Sequence, residues 1–261
     1  MARTAILNVM VRAATKAGRV LSRDFGEVEQ LQVSRKGPAD FVTAADRRAE
    51  EIIRAELAHA RPDYSFLMEE AGETIGSDPQ HRWIVDPLDG TTNFLHGIPL
   101  FAISIALERQ GRIQAAVVYN PATDELFTAE RGAGAFVNDR RIRVAARMQL
   151  AEAVLCTGIP HLGRGDHGRF LRELATLMPM VAGVRRTGSA ALDLAWLAAG
   201  RFDGFWERDL SPWDMAAGIL LIREAGGYAS DFRGGDAMLE KGEIVAGNEL
   251  IHRQLLATLK G

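Results

Sequence analysis

The chain has one cysteine, Cys156, so an internal disulfide is excluded and a reducing compartment fits. It has no apolar run near the roughly 20 residues that a membrane-spanning helix needs. Neither charge sign dominates: 31 Lys+Arg against 34 Asp+Glu leave a net charge of −3. General attraction to nucleic acid or to anionic lipid is therefore not expected. The first residues lack the charged, apolar and small-residue order of a signal peptide, and a cytoplasmic location is the expectation. Repeats and low-complexity tracts are also missing. What remains is ordinary globular composition, 47% apolar and 25% charged over 261 residues, enough for one large core or two smaller ones.

Periodicity sets the elements. Ile6, Val9, Met10, Ala13, Ala17, Val20 and Leu21 recur at helical spacing, predicting an amphipathic helix over about 3–23. Lys36-Gly37-Pro38 reads as a turn, and Asp40 to Thr43 leads into a second helix carrying Ala49, Ile52, Ile53 and Leu57. Tyr64–Met68 and Arg82–Val85 read as buried strands. Phe101–Leu107, Ile113–Tyr119 and Glu125–Thr128 follow as strands joined by short polar turns, the pattern of a meander. Beyond about residue 150 strands and helices alternate, with helices near 166–177 and 189–199 and another from Asp214. The whole reads as one mixed α/β unit, 1–261, with sub-halves of about 1–148 and 149–261. Two sheets with helices between and outside them is the expected layering.

The informative stretch is Asp86-Pro87-Leu88-Asp89-Gly90-Thr91-Thr92-Asn93. Trp83-Ile84-Val85 before it reads as a strand ending there. Two carboxylates follow at i and i+3, with a proline to stiffen the turn. Gly90, Thr91 and Thr92 then suit the opening of a helix. Carboxylate and carbonyl oxygens hold hard divalent cations, while unpaired amides at a helix start hold phosphate. Metal and phosphate side by side mean phosphoryl transfer or phosphate hydrolysis. Met68-Glu69-Glu70 and Ser211-Pro212-Trp213-Asp214 add acids that read equally well as a loop charge and a helix-start charge when taken singly. Crowded carboxylates, however, favour protonation unless a cation compensates.

Trp83 through Phe94 resembles the first signature of the inositol monophosphatase family, and Trp213-Asp214-Met215-Ala216-Ala217-Gly218 through Glu224-Ala225-Gly226-Gly227 resembles the second. Lys36, Thr43-Ala44-Ala45-Asp46, Glu69-Glu70, Gly188-Ser189-Ala190-Ala191 and Glu207 extend the similarity over nearly the whole chain. The resemblance implies a layered α-β-α-β-α sandwich and hydrolysis of phosphate monoesters by direct attack of metal-activated water. It implies a first Mg²⁺ on Glu69, Asp86 and the carbonyl of Leu88, and a second on Asp86, Asp89 and Asp214, with a third or Mn²⁺ as variants. Catalytic roles fall to Glu69, Asp46 and Thr91, where Asp46 bonds Thr91 and orients the water. The substrate would meet Asp89, Gly90, Thr91, Thr92, Ala190, Glu207 and Asp214. Lys36 would lie in a hairpin over the metals, and Met68, which replaces a common glycine, should point away from Glu69. Lithium sensitivity and a homodimer are further implications, with Leu174–Val181 as either interface or core. Inositol 1-phosphate is the first-choice substrate, with fructose 1,6-bisphosphate, a nucleotide 3′-phosphate and histidinol phosphate as alternatives. His161 and Arg164 are placed to meet a second anionic group.

Other chemistries fit less well. An aspartyl-phosphate phosphatase needs two aspartates at i and i+2, and here the interval is three. Gly188-Ser189-Ala190 lacks the second glycine of a nucleophile elbow. Gly132-Ala133-Gly134 reads as a hairpin pair rather than a dinucleotide loop, and Cys156 as a small core residue. The histidines show no metal-ligand spacing, and surface or turn roles are expected for His96 and His161. A function of another class rests on Arg12, Lys16, Arg19 and Arg23, which line one face of the first helix. Some bacterial relatives associate with the RNA-synthesis machinery, so this stripe is a candidate partner surface. The plainer reading is a solvated face opposite an apolar stripe.

Overall fold

Side chains that alternate along the strands go into two different cores, and this alternation builds the layers. The computed structural model describes residues 3–27, 33–37, 40–161 and 163–260, the strands at 33–37 and 40–43 by their backbone. The first helix, α1 (Ala5–Phe25), is capped by the Thr4 hydroxyl on the Leu7 N–H at 3.3 Å. A small hairpin, β1 (Val33–Gly37) and β2 (Asp40–Thr43), leads into α2 (Ala44–Ala60). Lys36 belongs to β1, and Pro38 of the expected turn lies outside the described residues.

Next come β3 (Tyr64–Met68), β4 (Gly72–Thr74), β5 (Asp78–Asp89) and the short α3 (Thr91–Leu95). The meander follows as β6 (Ala102–Arg109), β7 (Arg112–Asn120), β8 (Glu125–Glu130), β9 (Gly134–Val137) and β10 (Arg140–Arg141). These form an eight-stranded sheet in the order β10-β9-β8-β7-β6-β5-β3-β4, antiparallel except for β3 against β5. Gly132 and Gly134 sit at positive φ in the hairpin between β8 and β9, as the glycine pair predicted.

The rest of the chain gives β11 (Val154–Thr157), α4 (His167–Leu177), β12 (Gly183–Arg185), α5 (Ala190–Ala198) and β13 (Gly204–Arg208). It ends with α6 (Pro212–Glu224), β14 (Tyr228–Ser230), α7 (Met238–Lys241), β15 (Glu243–Gly247) and α8 (Glu249–Leu259). The second sheet runs β12-β11-β13-β15-β14.

On β5, Trp83 and Val85 join Met10, Leu21 and Ile53 of α1 and α2, whereas Ile84 faces the other way, toward α5 and α6. On β13, Phe205 shares that middle core, whereas Trp206 joins Leu255 and Leu259 of α8 and Phe170 and Leu174 of α4. On β15, Ile244 and Ala246 go inward to the middle core and Val245 outward. The layers are therefore α1/α2, large sheet, α5/α6, small sheet, α4/α8, which is the expected α-β-α-β-α sandwich. A middle helical layer buried on both sides must be apolar all round, as α5 and α6 are. Cys156 is fully buried in the middle core. Met68 is buried under α1 and α2. Leu174–Val181 divides: Leu177 is buried and Leu174 packs on the outer core, whereas Met178 and Met180 are exposed. No described helix is long and apolar enough to cross a membrane.

Candidate active site

The strand expected to end at Val85 continues to Asp89. Asp86 pairs with Ser104 and Asp89 with Ala102 on β6, and the register slips between them. Pro87 has no N–H to give to the ladder, and the Leu88 N–H turns back to Asp86 Oδ1 at 2.9 Å. The irregularity is a bulge, so both carboxylates leave the end of one rigid strand rather than a loop. Thr91 Oγ1 donates to the Leu88 carbonyl at 3.0 Å. Gly90 starts α3 with φ 93°, and a Cβ there would lie 2.9 Å from the Leu100 carbonyl. Both the dihedral and the space require glycine.

Two other elements bring their acids to the same place. Asp214 is the third residue of α6, and its Oδ2 accepts the Ser211 N–H at 2.7 Å in a capping box. Asp89 Oδ2 accepts the Ser189 hydroxyl at 2.6 Å and the Ala191 N–H at 2.7 Å, which ties β5 to the start of α5. Carboxylate oxygens of Asp86, Asp89 and Asp214 lie within 4.8 Å of one another. A second set within the same limit is Asp46, Glu69 and Glu70, from the first turn of α2 and the end of β3.

The electrostatics agree with a cation site. Burial, then the charges of Glu69, Asp89, Asp214 and Asp46, holds the Asp86 carboxyl well above the usual carboxylate range. Asp214 is pushed up to about 8, by burial first and the Asp89 charge second. Asp89 rises only to about 6, because burial is opposed by the donors Ser189, Ala191 and Gly90 and by the Arg186 charge. Carboxylates this crowded keep protons unless a cation replaces them. The donors are all oxygen, hard and anionic, with the Leu88 carbonyl beside them, and that chemistry fits Mg²⁺ or Mn²⁺ rather than a soft metal.

These acids open onto a cavity of about 360 Å³ that Gly90, Thr91, Thr92, Ala190 and Glu207 also line. Every residue expected at the site borders it except Asp46, which belongs to the neighbouring acidic set. His161, on a loop, is in the cavity wall. Arg164 borders it as well. The sequence reading missed Arg186 and Asp193. Asp193 accepts the Thr187 hydroxyl and is raised to about 7 by burial, with Asp89 adding to the rise. Glu207 is held well above its ordinary value by burial, then by Asp193, Asp214 and Asp89.

Known proteins resemble this chain in sequence and in fold. A 260-residue alignment with an inositol-1-monophosphatase of Mesorhizobium japonicum is 69% identical and covers 100% of this chain and 98% of the relative. A protein of Pseudomonas aeruginosa named Nus factor SuhB is 47% identical, over 98% of this chain and 96% of its own. The crystal structure of extragenic suppressor protein suhB from Bartonella henselae superposes with a TM-score of 0.96 at 63% identity, covering 98% and 99% of the two chains. The model of the inositol monophosphatase family matches residues 2–260, and the chain belongs to that family of phosphoric monoester hydrolases.

Proposed function

We propose that this protein hydrolyses inositol 1-phosphate to inositol and phosphate with Mg²⁺. The observation that carries the reading is the convergence of the Asp86, Asp89 and Asp214 carboxylates, from a strand end and a helix start, within 4.8 Å. The substrate follows from the Mesorhizobium relative named for it at 69% identity. Glu69, Asp86 and the Leu88 carbonyl would hold one ion, and Asp86, Asp89 and Asp214 another. When bound, such ions polarise phosphate oxygens and make water acidic enough to attack near neutral pH.

The chain's own groups do the rest. The Gly90, Thr91 and Thr92 segment faces the phosphate with N–H and hydroxyl donors, neutralising charge on the equatorial oxygens. The Thr91 hydroxyl donates a hydrogen bond to the Leu88 carbonyl in this structure, and would donate it to Asp46 instead if that carbonyl held an ion. Thr91 Oγ1 would then accept a hydrogen bond from the attacking water and fix its approach, while Glu69, as the base, takes the water's proton and returns it to the departing alkoxide oxygen. Water displaces the alcohol in line, and no phosphoenzyme forms. Ala190 and Glu207 contact the hydroxyls of the ring, whose compact size suits the 360 Å³ cavity.

Phosphate release should be measured from inositol 1-phosphate, fructose 1,6-bisphosphate, a nucleotide 3′-phosphate and histidinol phosphate, each with Mg²⁺ and with a chelator. Inositol 1-phosphate is expected to give the highest kcat/KM, and the chelator to stop release. Equal turnover in chelator, or preference for another ester, defeats the reading. The relative named a Nus factor suggests a second role in binding a partner of the RNA-synthesis machinery. The basic face of α1 lends it little support. Arg12 and Lys16 are paired with Glu56, and Arg23 with Asp24, so three of the four cations are already engaged.

A further inference from the structure

Glu69 is carried on a turn, unlike Asp86, Asp89 and Asp214. The first two leave a strand, and Asp214 is fastened in a capping box. Glu69 opens the turn of residues 69–71, which joins Met68 of β3 to Gly72 of β4. A carboxylate on a short turn meets its partners reproducibly only where the turn itself is held.

Two backbone bonds hold this one. The Glu69 N–H donates to the Val85 carbonyl at 3.2 Å, one rung past the last paired residue of β3. The Glu70 N–H leaves the ladder and donates to Glu50 Oε2 at 2.9 Å. Glu69 is therefore pinned on both sides, to the residue before Asp86 and to α2.

Glu50 stands in an apolar place. The buried stripe of α2 is Ala45, Asp46, Ala49, Glu50, Ile53 and Leu57, and Glu50 is 6% exposed. An acid in such a stripe is costly unless its charge is met. Arg54, one turn on, gives that charge partial compensation. A leucine or methionine would serve the packing, but neither offers the Glu70 N–H an acceptor. Asp46 lies four residues earlier on the same helix face, and its carboxylate is within 4.8 Å of those of Glu69 and Glu70. One helix thus places Asp46 directly and Glu69 through the backbone.

We infer that Glu50 is a positioning residue for metal binding: its bond to the Glu70 N–H fixes the turn that presents Glu69 beside Asp86, and locks that turn to the helix carrying Asp46. The inference rests on the reading above, in which Glu69 holds an ion and acts as base. Glu50 does not border the cavity, so it acts only through the turn.

Glu50→Met fills a similar space without the acceptor, and Glu50→Gln keeps an acceptor without the charge. Amide exchange is followed in metal-free protein, and Mg²⁺ affinity is measured by calorimetry with no substrate present. In the wild type the Glu70 amide is expected to exchange slowly, like those of the β3–β5 ladder. In Glu50→Met it should exchange about tenfold faster with the β6–β7 amides unmoved, and Mg²⁺ should bind about tenfold more weakly, the worth of one hydrogen bond. The Mg²⁺ concentration for half-activation on inositol 1-phosphate should rise by the same factor. KM at saturating Mg²⁺ should stay, because Ala190 and Glu207 meet the ring. Glu50→Gln should bring exchange and affinity back to within about threefold of the wild type. A fast Glu70 amide in the wild type, a measurement that needs no variant to fold, overturns the inference. So do wild-type Mg²⁺ affinity in Glu50→Met and equal losses of affinity in the two variants. Wild type that binds no Mg²⁺, or releases no phosphate from inositol 1-phosphate, would instead overturn the reading beneath it.

Discussion

Four other carboxylates, Glu69, Asp89, Asp214 and Asp46, press on the charge of Asp86, which is itself 1% exposed. The sign of the resulting pH dependence follows. Asp89 and Asp214 titrate near 3.9 in an unfolded chain but near 6 and 8 when folded. A carboxyl whose folded pKa is raised stabilises the fold fully below its unfolded value, and that contribution is lost as pH rises through the folded value. In chelator, the Tm should therefore fall between about pH 5 and 8, by something on the order of 5 °C if about 2 kcal/mol is lost. Mg²⁺ should restore it, with a larger gain at pH 8 than at pH 5; a gain independent of pH would exclude metal binding by these acids. Asp86→Asn removes one charge of the repelling set, so its metal-free Tm at pH 8 should exceed that of the wild type. Its turnover should drop about a thousandfold or more, because several kcal/mol of charge stabilisation go with the ligand. Near-normal turnover would remove Asp86 from the site. Asp86 and Asp89 were legible because one short stretch contains them with their proline and glycine. Arg186 and Asp193 were not: they act on Asp89 from about 100 residues away, through packing around the start of α5 that no local pattern encodes.

Elements carry the acids, so packing between elements decides whether the acids meet. Gly218 in α6 lies against α5, where an added Cβ would come within 2.5 Å of the Leu194 Cβ. Asp214 sits one turn earlier on the same helix, and Ser189 and Ala191 at the start of α5 hold Asp89. A larger residue at 218 must push the two helices apart and separate Asp214 from Asp89. Gly218→Val is expected to cost about 1–3 kcal/mol in urea unfolding, the usual range for overpacking. It should also weaken Mg²⁺ activation well beyond what that loss of stability explains. A variant with the stability loss but wild-type Mg²⁺ dependence would show that α5–α6 spacing does not set the site. At this scale the sequence was read well where periodicity was strong, in α1, α2 and the β6–β8 hairpins. It was read short at β5, because Pro87 and Gly90 look like a turn, and only the ladder to β6 shows the strand carrying on through a bulge. Glu207 gave no local signal either; β13 places it in the cavity by alternation, next to Trp206 on the opposite face.

Across the whole molecule, the middle core belongs to neither half of the chain. The inner face of the large sheet contributes Ile84, Ala102, Ala106, Ala116, Val118 and Phe127, and all are covered by α5, α6 and the small sheet. The layering was foreseeable from the order of elements, since a meander followed by alternating strands and helices leaves one sheet face needing cover. Which helices supply that cover is a long-range matter. Residues 1–148 alone would expose this face, and Asp86 and Asp89 would lack both Asp214 and the Ser189 and Ala191 donors. Residues 149–261 alone would leave α5 and α6, apolar all round, with one sheet instead of two. The two pieces are therefore expected to fold together and not apart. Expressed singly, each should bind a hydrophobic dye and lack a cooperative thermal transition. Mixed, they should recover part of the Mg²⁺-dependent phosphatase activity, because the contacts that order the acids are the same ones that bury the face. A 1–148 fragment that unfolds cooperatively, excludes the dye and binds Mg²⁺ would show that the site is built by the first half alone, and that α5 and α6 cover it without completing it.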